Sequence, residues 1–147
     1  MKIEESKDFD EVEIIIRCSE IDDQLAGLIR QINQMAMTFT GKLEGRIHSI
    51  DLHDVLYIET VDNQTFLCTS TDVFESDLKL YTFEERLKET HFLRISKHLI
   101  VNMKQIESVR ALLNGKFEAL LDTGEKVIVN RHYAKSFREY FLRGGDH

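Results

Sequence analysis

The chain has no proline and no tryptophan, and only two cysteines and seven glycines in 147 residues. Without proline there is no proline-rich linker, and neither a low-complexity segment nor an internal repeat is present. Cys18 and Cys68 lie far apart and form no C-x-x-C, which excludes a disulfide framework, a zinc knuckle and a thioredoxin-type site. Each cysteine is expected to fill a core. No apolar run approaches the roughly 18 residues of a membrane span. The opening MKIEESKDFD is too acidic for a signal peptide. A soluble, cytoplasmic protein without membrane insertion is expected. Catalytic signatures are missing too: there is no G-x-S-x-G, Walker loop, H-E-x-x-H or paired-glycine fingerprint. Covalent chemistry and a cofactor are not expected.

What is present suits one main domain, with 42% apolar and 31% charged residues. The net charge of −7 counts against nucleic acid, but it is unevenly placed. It is −5 over residues 1–37, −6 over 38–93, +5 over 94–143 and −1 in the tail 144–147. A basic C-terminal third on an acidic protein is compatible with a local anion-binding face, while the acidic remainder repels DNA from other approaches.

Periodicity divides the chain. EVEIIIRC at 11–18, with β-branched Val12, Ile14, Ile15 and Ile16, reads as a strand. Ser19 and Asp22 form a capping box for an amphipathic helix ending near Thr38, with Ile21, Leu25, Leu28, Ile29, Ile32 and Met35 at three- and four-residue spacing. That stripe either lies on its own subunit or zips to a partner. Short strands follow at 39–43, 46–50, 55–60, 65–69 and 73–75, with a hairpin break at Asp62-Asn63-Gln64. Thr82 to Glu85 reads as a capping box opening a short helix through Lys88. Strands at 92–95, 99–101, 106–112, 116–121 and 126–130 come next, with turns at Asn114-Gly115 and Asp122-Thr123-Gly124. A last helix is expected over Tyr133 to Leu142, and Asp146-His147 reads as a tail. The His48, Asp51, His53 and Asp54 group holds metal-ligand types, but its irregular spacing reads as a polar turn.

FLRISKHLIVN at 92–102 and GEKVIVNRHYAKSF at 124–137 are the informative stretches, with VLYIETVDNQTFL at 55–67 and VRALLNGKFEALL at 109–121. Together they resemble the LytTR family of bacterial DNA-binding domains. Arg94, Ser96, Lys97, Ile100, Val101, Asn102, Ile106, Gly115, Gly124, Glu125, Asn130, Arg131 and Tyr133 follow the family pattern in order over about residues 39–142. The resemblance implies a mainly β fold of elongated antiparallel sheets with short helices. Here it is preceded by the N-terminal strand and helix. The division is residues 1–38 as an extension and 39–147 as the DNA-binding domain. Loops, rather than a recognition helix, are implied to enter the major groove.

By that resemblance, the base-reading positions fall at Gln64 and Thr65, at Lys97 and at Arg131. Arginine's planar fork suits guanine O6 and N7, glutamine suits adenine, and a threonine methyl suits thymine. Ser96, His98, Asn130, His132 and Lys135 suit phosphate or sugar contacts. Without the resemblance, Arg131 reads equally as a strand cap or a partner of Glu125. Arg94 reads as an ion pair with Glu59 or Asp54, or as a phosphate contact, and Asn102 as structural. The implied function is a transcriptional regulator binding repeated promoter sites on double-stranded DNA as a homodimer. Ile21, Leu25, Leu28, Ile32 and Met35 are the dimerisation candidates. The 38 residues before the match are too few for a receiver domain, so an aspartate phosphorylated in cis is not the expected switch. The alternative is an interaction module of the same fold, holding a regulatory protein partner through its acidic N-terminal region.

Overall fold

The computed structural model describes residues 1–143, and Asp146-His147 lies outside them. Helix α1 (Asp23–Ala36) leads into β1 (Thr38–Leu43), β2 (Arg46–Asp51), β3 (Val55–Val61), β4 (Gln64–Thr69) and β5 (Val73–Ser76). After α2 (Leu80–Arg86) come β6 (Phe92–Ser96), β7 (Leu99–Asn102), β8 (Ile106–Ala111), β9 (Phe117–Leu121) and β10 (Lys126–Val129), and α3 (Arg131–Arg143) ends the described chain. Seven strands form one sheet in the order β2-β1-β5-β4-β3-β7-β6, and three form a second, β10-β9-β8. Every pairing is antiparallel, so the mainly β architecture agrees with the sequence reading.

Local chemistry sets the register. Glu44-Gly45 and Asp62-Asn63 each place two residues at positive φ, the geometry of a two-residue turn whose twist matches its strands. Leu43 thus faces Arg46 and Val61 faces Gln64, which makes Gln64 the first residue of β4 rather than part of the loop. Alternation then directs Ile58, Leu67 and Phe74, and the irregularity between Val55 and Tyr57 turns Val55 with them, into a core closed by Leu80, Phe83 and Leu87 around α2. A second core joins the sheets: Ile95, Val101 and Met103 meet Ala119, Leu121, Val127 and Val129 under Phe137 of α3.

Helix α1 lies on its own chain, but through a polar face. The Gln34 side chain is buried, its Oε1 accepts the His91 N–H (3.0 Å) and its Nε2 donates to Asn102 Oδ1 (3.5 Å). Asn33 donates to the Glu89 carbonyl (3.1 Å), and the Arg30 guanidinium lies over the Tyr140 ring of α3. Asn102 is structural as expected, donating to the Val55 carbonyl (3.1 Å). The apolar stripe is not the docking face: Leu25 and Ile32 are half-buried, whereas Ile21, Leu28 and Met35 are 61%, 44% and 65% exposed.

Several expectations are corrected. Residues 11–18 form no strand, because among the described residues no strand pairs with them and an isolated strand leaves its backbone groups unmatched. Cys18 on that segment is exposed, unlike Cys68, which is core as expected. Asp22, not Ser19, caps α1, its carboxylate accepting the Leu25 N–H (2.8 Å), so Ile21 precedes the helix. Thr82 lies inside α2, which starts earlier because Leu80, Phe83 and Leu87 must share its buried side. Helix α3 begins two residues before the expected Tyr133, directly after β10, so Arg131 stands on its first turn and not on a loop.

Candidate nucleic-acid interface

Two backbone hydrogen bonds gather the chain junctions that carry the candidate residues. The Thr60 N–H donates to the His98 carbonyl (2.9 Å), which seats the end of β3 against the β6–β7 turn. The Asn130 N–H donates to the Ile95 carbonyl (2.9 Å), which seats the end of β10 against β6 two residues before Lys97. The Asp62-Asn63 turn, the Lys97-His98 turn and the Asn130-Arg131 junction are therefore neighbours at one end of the molecule. They span both sheets.

The Lys97 turn is held by an arginine that does not itself face outward. Arg94 Nε donates to the Ser96 carbonyl (3.1 Å), Nη2 to the Lys97 carbonyl (2.6 Å) and Nη1 to Glu84 Oε1 (3.0 Å). The expected ion pair of Arg94 with Glu59 or Asp54 is replaced by Glu84 because α2 brings that carboxylate over β6. Ser96 Oγ accepts the His98 N–H (3.2 Å) and closes the turn from the other side, so Ser96 is a turn-former in this structure. Lys97 and His98 are left exposed at its tip.

Arg131 is positioned by a different device. Asn114 and Gly115, both at positive φ, fold the β8–β9 turn against the arginine stem. A Cβ on Gly115 would lie 3.0 Å from Arg131 Cγ. The alternative partner Glu125 is taken, accepting the Tyr57 hydroxyl proton (2.9 Å). Asn130 is half-buried between β10 and α3, and its carbonyl accepts the Tyr133 N–H (2.9 Å). His132 stands edge-on to Tyr133, and Lys135 is exposed one turn further along α3. The first turn of α3 holds no acidic residue. Unbonded N–H groups and the helix dipole favour negative charge there, so cations in that place leave the helix end without its usual compensation.

The first loop offers less. Thr65 is only 2% exposed, its backbone paired between Thr60 and Ser76, so its methyl is closed off from any thymine; that expectation is withdrawn. Gln64 is half-buried and donates an amide N–H to the Ser76 carbonyl (3.1 Å). The exposed tip is Asp62-Asn63, which brings a negative charge. Sequence reasoning missed the Arg94 clamp and the Gly115 seat. The positive-φ Asn-Gly pair was visible as a turn, but nothing in the sequence places it beside Arg131.

Displaced titrations lie near the opposite strand ends. Burial holds His91, at the start of β6, down at about 4, with the Lys104 and Arg30 charges adding to it, and its Nδ1 is hydrogen-bonded to the Tyr140 hydroxyl. Burial raises the Tyr140 hydroxyl. Tyr57 is raised by burial and by its bond to Glu125, and burial together with Glu59 pushes Cys68 up to about 11. Asp51, His53 and Asp54 come within 4.8 Å of one another, all exposed, on the turn between β2 and β3. His48 packs instead on Phe74.

Comparison with known proteins bears on the fold and the family. Relatives include HTH-type transcriptional regulators, described as uncharacterized, from Staphylococcus aureus strains NCTC 8325 / PS 47 and COL, each 30% identical over 128 residues that cover 86% of both chains. Among the described residues strands separate all three helices, so this chain shows no helix-turn-helix. A solved LytTr DNA-binding domain from Bacillus cereus superposes with a TM-score of 0.66 at 26% identity, covering 69% of this chain and 94% of that one. The model of the LytTr DNA-binding domain matches residues 45–142, most of the chain, and the protein belongs to the LytTR family of DNA-binding domains.

Proposed function

We propose that this chain is a cytoplasmic bacterial regulator that reads double-stranded DNA sequence-specifically, placing the Lys97 turn and the Arg131 junction in the major groove. One observation carries the reading. Lys97, Arg131 and His132 are exposed on adjoining junctions at one end, with Lys135 exposed one turn further along α3, and among the described residues Lys97, Arg131 and Lys135 form no ion pair. Exposed cations held at an acid-free helix start are matched by phosphate, and the Arg131 fork is matched by a guanine edge. In this reading Arg131 and Lys97 contact bases, with Gln64 reaching an adenine if it leaves Ser76. His98, His132 and Lys135 contact phosphate or sugar, while Ser96 and Asn130 set the backbone that carries them. The chain acts without covalent chemistry. Two copies bind repeated promoter sites, associated through Ile21 just before α1 and through Leu25, Leu28, Ile32 and Met35 on it, of which Ile21, Leu28 and Met35 stay exposed although the helix is docked.

The test is selection of bound fragments from sheared genomic DNA, followed by a salt titration on an enriched duplex. A few enriched sites sharing a repeated motif, and a log-log salt slope of about −0.9 per phosphate contact, are the expected results. A net charge of −7 favours a second reading, an interaction module holding a regulatory protein partner. A folded protein that enriches no site, and any duplex association indifferent to salt, would refute DNA reading in favour of that module.

A further inference from the structure

The segment 11–18 has the pattern of a strand and no partner in its own chain. Val12, Ile14, Ile16 and Cys18 alternate on one side of an extended backbone, and Glu11, Glu13, Ile15 and Arg17 on the other. Val12, Ile14 and Ile15 are 94%, 59% and 65% exposed, Ile16 is 39% exposed and Cys18 is exposed. We propose that this segment pairs antiparallel with the same segment of a second copy, about a two-fold axis through Ile15. The proposal deepens the two-copy part of the reading above and does not depend on the DNA contacts.

The occupant and the register follow from charge and parity. In an antiparallel pair, directly opposed residues point to the same side, so a slip by one residue would set the apolar face against the polar one. Among the remaining registers, an axis through Ile15 opposes Ile14 with Ile16 and Val12 with Cys18, matching the apolar face throughout. It also opposes Glu13 with Arg17, twice by symmetry, which is a self-complementary charge pattern that a second copy of this chain supplies. An axis through Ile14 would set Asp10 against Cys18. An axis through Ile16 would set Glu20 against Val12 and lose the ion pairs. A two-stranded ribbon alone is marginal in water and needs an apolar surface to lie on. That surface adjoins it in the chain: Leu28 and Met35 of α1 are exposed seven residues apart, with Leu25 and Ile32 beside them in the spacing of a helix seam, and Ile21 is exposed just before the helix.

The test uses the full chain without DNA, so its failure leaves the DNA reading untouched. The segment lies outside both cores, and circular dichroism checks that each variant stays folded. Sedimentation equilibrium is expected to show a dimer that Glu13→Arg weakens about tenfold and that Glu13→Arg combined with Arg17→Glu restores to within about threefold. Ile15→Cys in a Cys18→Ser background is expected to form a disulfide-linked dimer on mild oxidation, because directly opposed Cα atoms stand roughly 4.5–5.5 Å apart, within reach of the bond. A monomer at every concentration overturns the proposal. So does a dimer indifferent to Glu13→Arg and not cross-linked in the Ile15→Cys variant. A dimer of that kind that is lost on Leu28→Asp rejects the strand pairing and leaves the helix seam alone.

Discussion

Replacing Arg94 by lysine keeps the charge and removes the fork. The native guanidinium, with its side chain 19% exposed, holds the Ser96 and Lys97 carbonyls and Glu84 from three separate nitrogens at 3.1, 2.6 and 3.0 Å. A lysine ammonium carries its donors on one atom and cannot span all three acceptors. Each bond from a charged donor contributes about 1.5–3 kcal/mol, but the freed carbonyls at an exposed turn recover water, so the net cost of releasing the turn is about 1–2 kcal/mol. If the turn must be reordered on DNA, that cost passes into binding as a loss of roughly 5- to 30-fold. Fluorescence anisotropy on a selected duplex, repeated across salt concentrations, reads it. Arg94→Lys and Arg94→Met are both expected to weaken binding while leaving the salt slope unchanged, since the residue acts through Lys97 and not on phosphate. Wild-type affinity in Arg94→Lys, with a slope reduced by about 0.9 in Arg94→Met, would refute the clamp and make Arg94 a phosphate contact.

Further outcomes follow from the same geometry. Arg131→Ala is expected to cost about 1–3 kcal/mol on the selected site and to relax one base position in a mutated-operator series; an equal loss on every duplex would make it a phosphate contact. Because His91 titrates near 4 when folded and near 6.5 when unfolded, the unfolded chain gains a proton first as pH falls. Stability should therefore be full above about pH 6.5 and decline toward pH 4 by about 3 kcal/mol, a loss that His91→Gln reduces in urea titrations at the two ends of this range. Equal losses in the two proteins would refute this. Gly41→Ala would put a Cβ 2.7 Å from Phe74 Cβ and 2.7 Å from Ile50 Cδ1, and is expected to cost about 1–3 kcal/mol. An unchanged urea midpoint would show that β1 and β5 can move apart freely.

Most strands were legible because residues on one face pack towards a core, and that face writes itself into the sequence as alternation. Asp62-Asn63 was legible because few residues tolerate positive φ, whereas Gln64 was misplaced because turn composition does not reveal where pairing resumes. Both capping boxes misled for one reason. A cap of this kind is a local option, and burial of Leu80, Phe83 and Leu87 decided where α2 begins. The strand expected at 11–18 failed because propensity describes a residue's fitness for a sheet, while a strand exists only where another backbone meets it. Thr65 shows the same limit at the candidate site. Its position was carried over by resemblance, and only pairing on both sides reveals that it is closed to solvent.

The sequence by itself determined the family, the succession of short antiparallel strands and the basic C-terminal third, because each is a pattern of residues along the chain. Tertiary structure alone decided that β3, β6 and β10 bring their ends together, that Glu84 holds Arg94 while Arg94 clamps the Lys97 turn, and that Gly115 seats Arg131. It also decided that α1 docks through Gln34 and leaves part of its apolar stripe outside. These are relations between residues far apart in sequence, fixed by which backbone groups and which packed surfaces have to be satisfied at the same time.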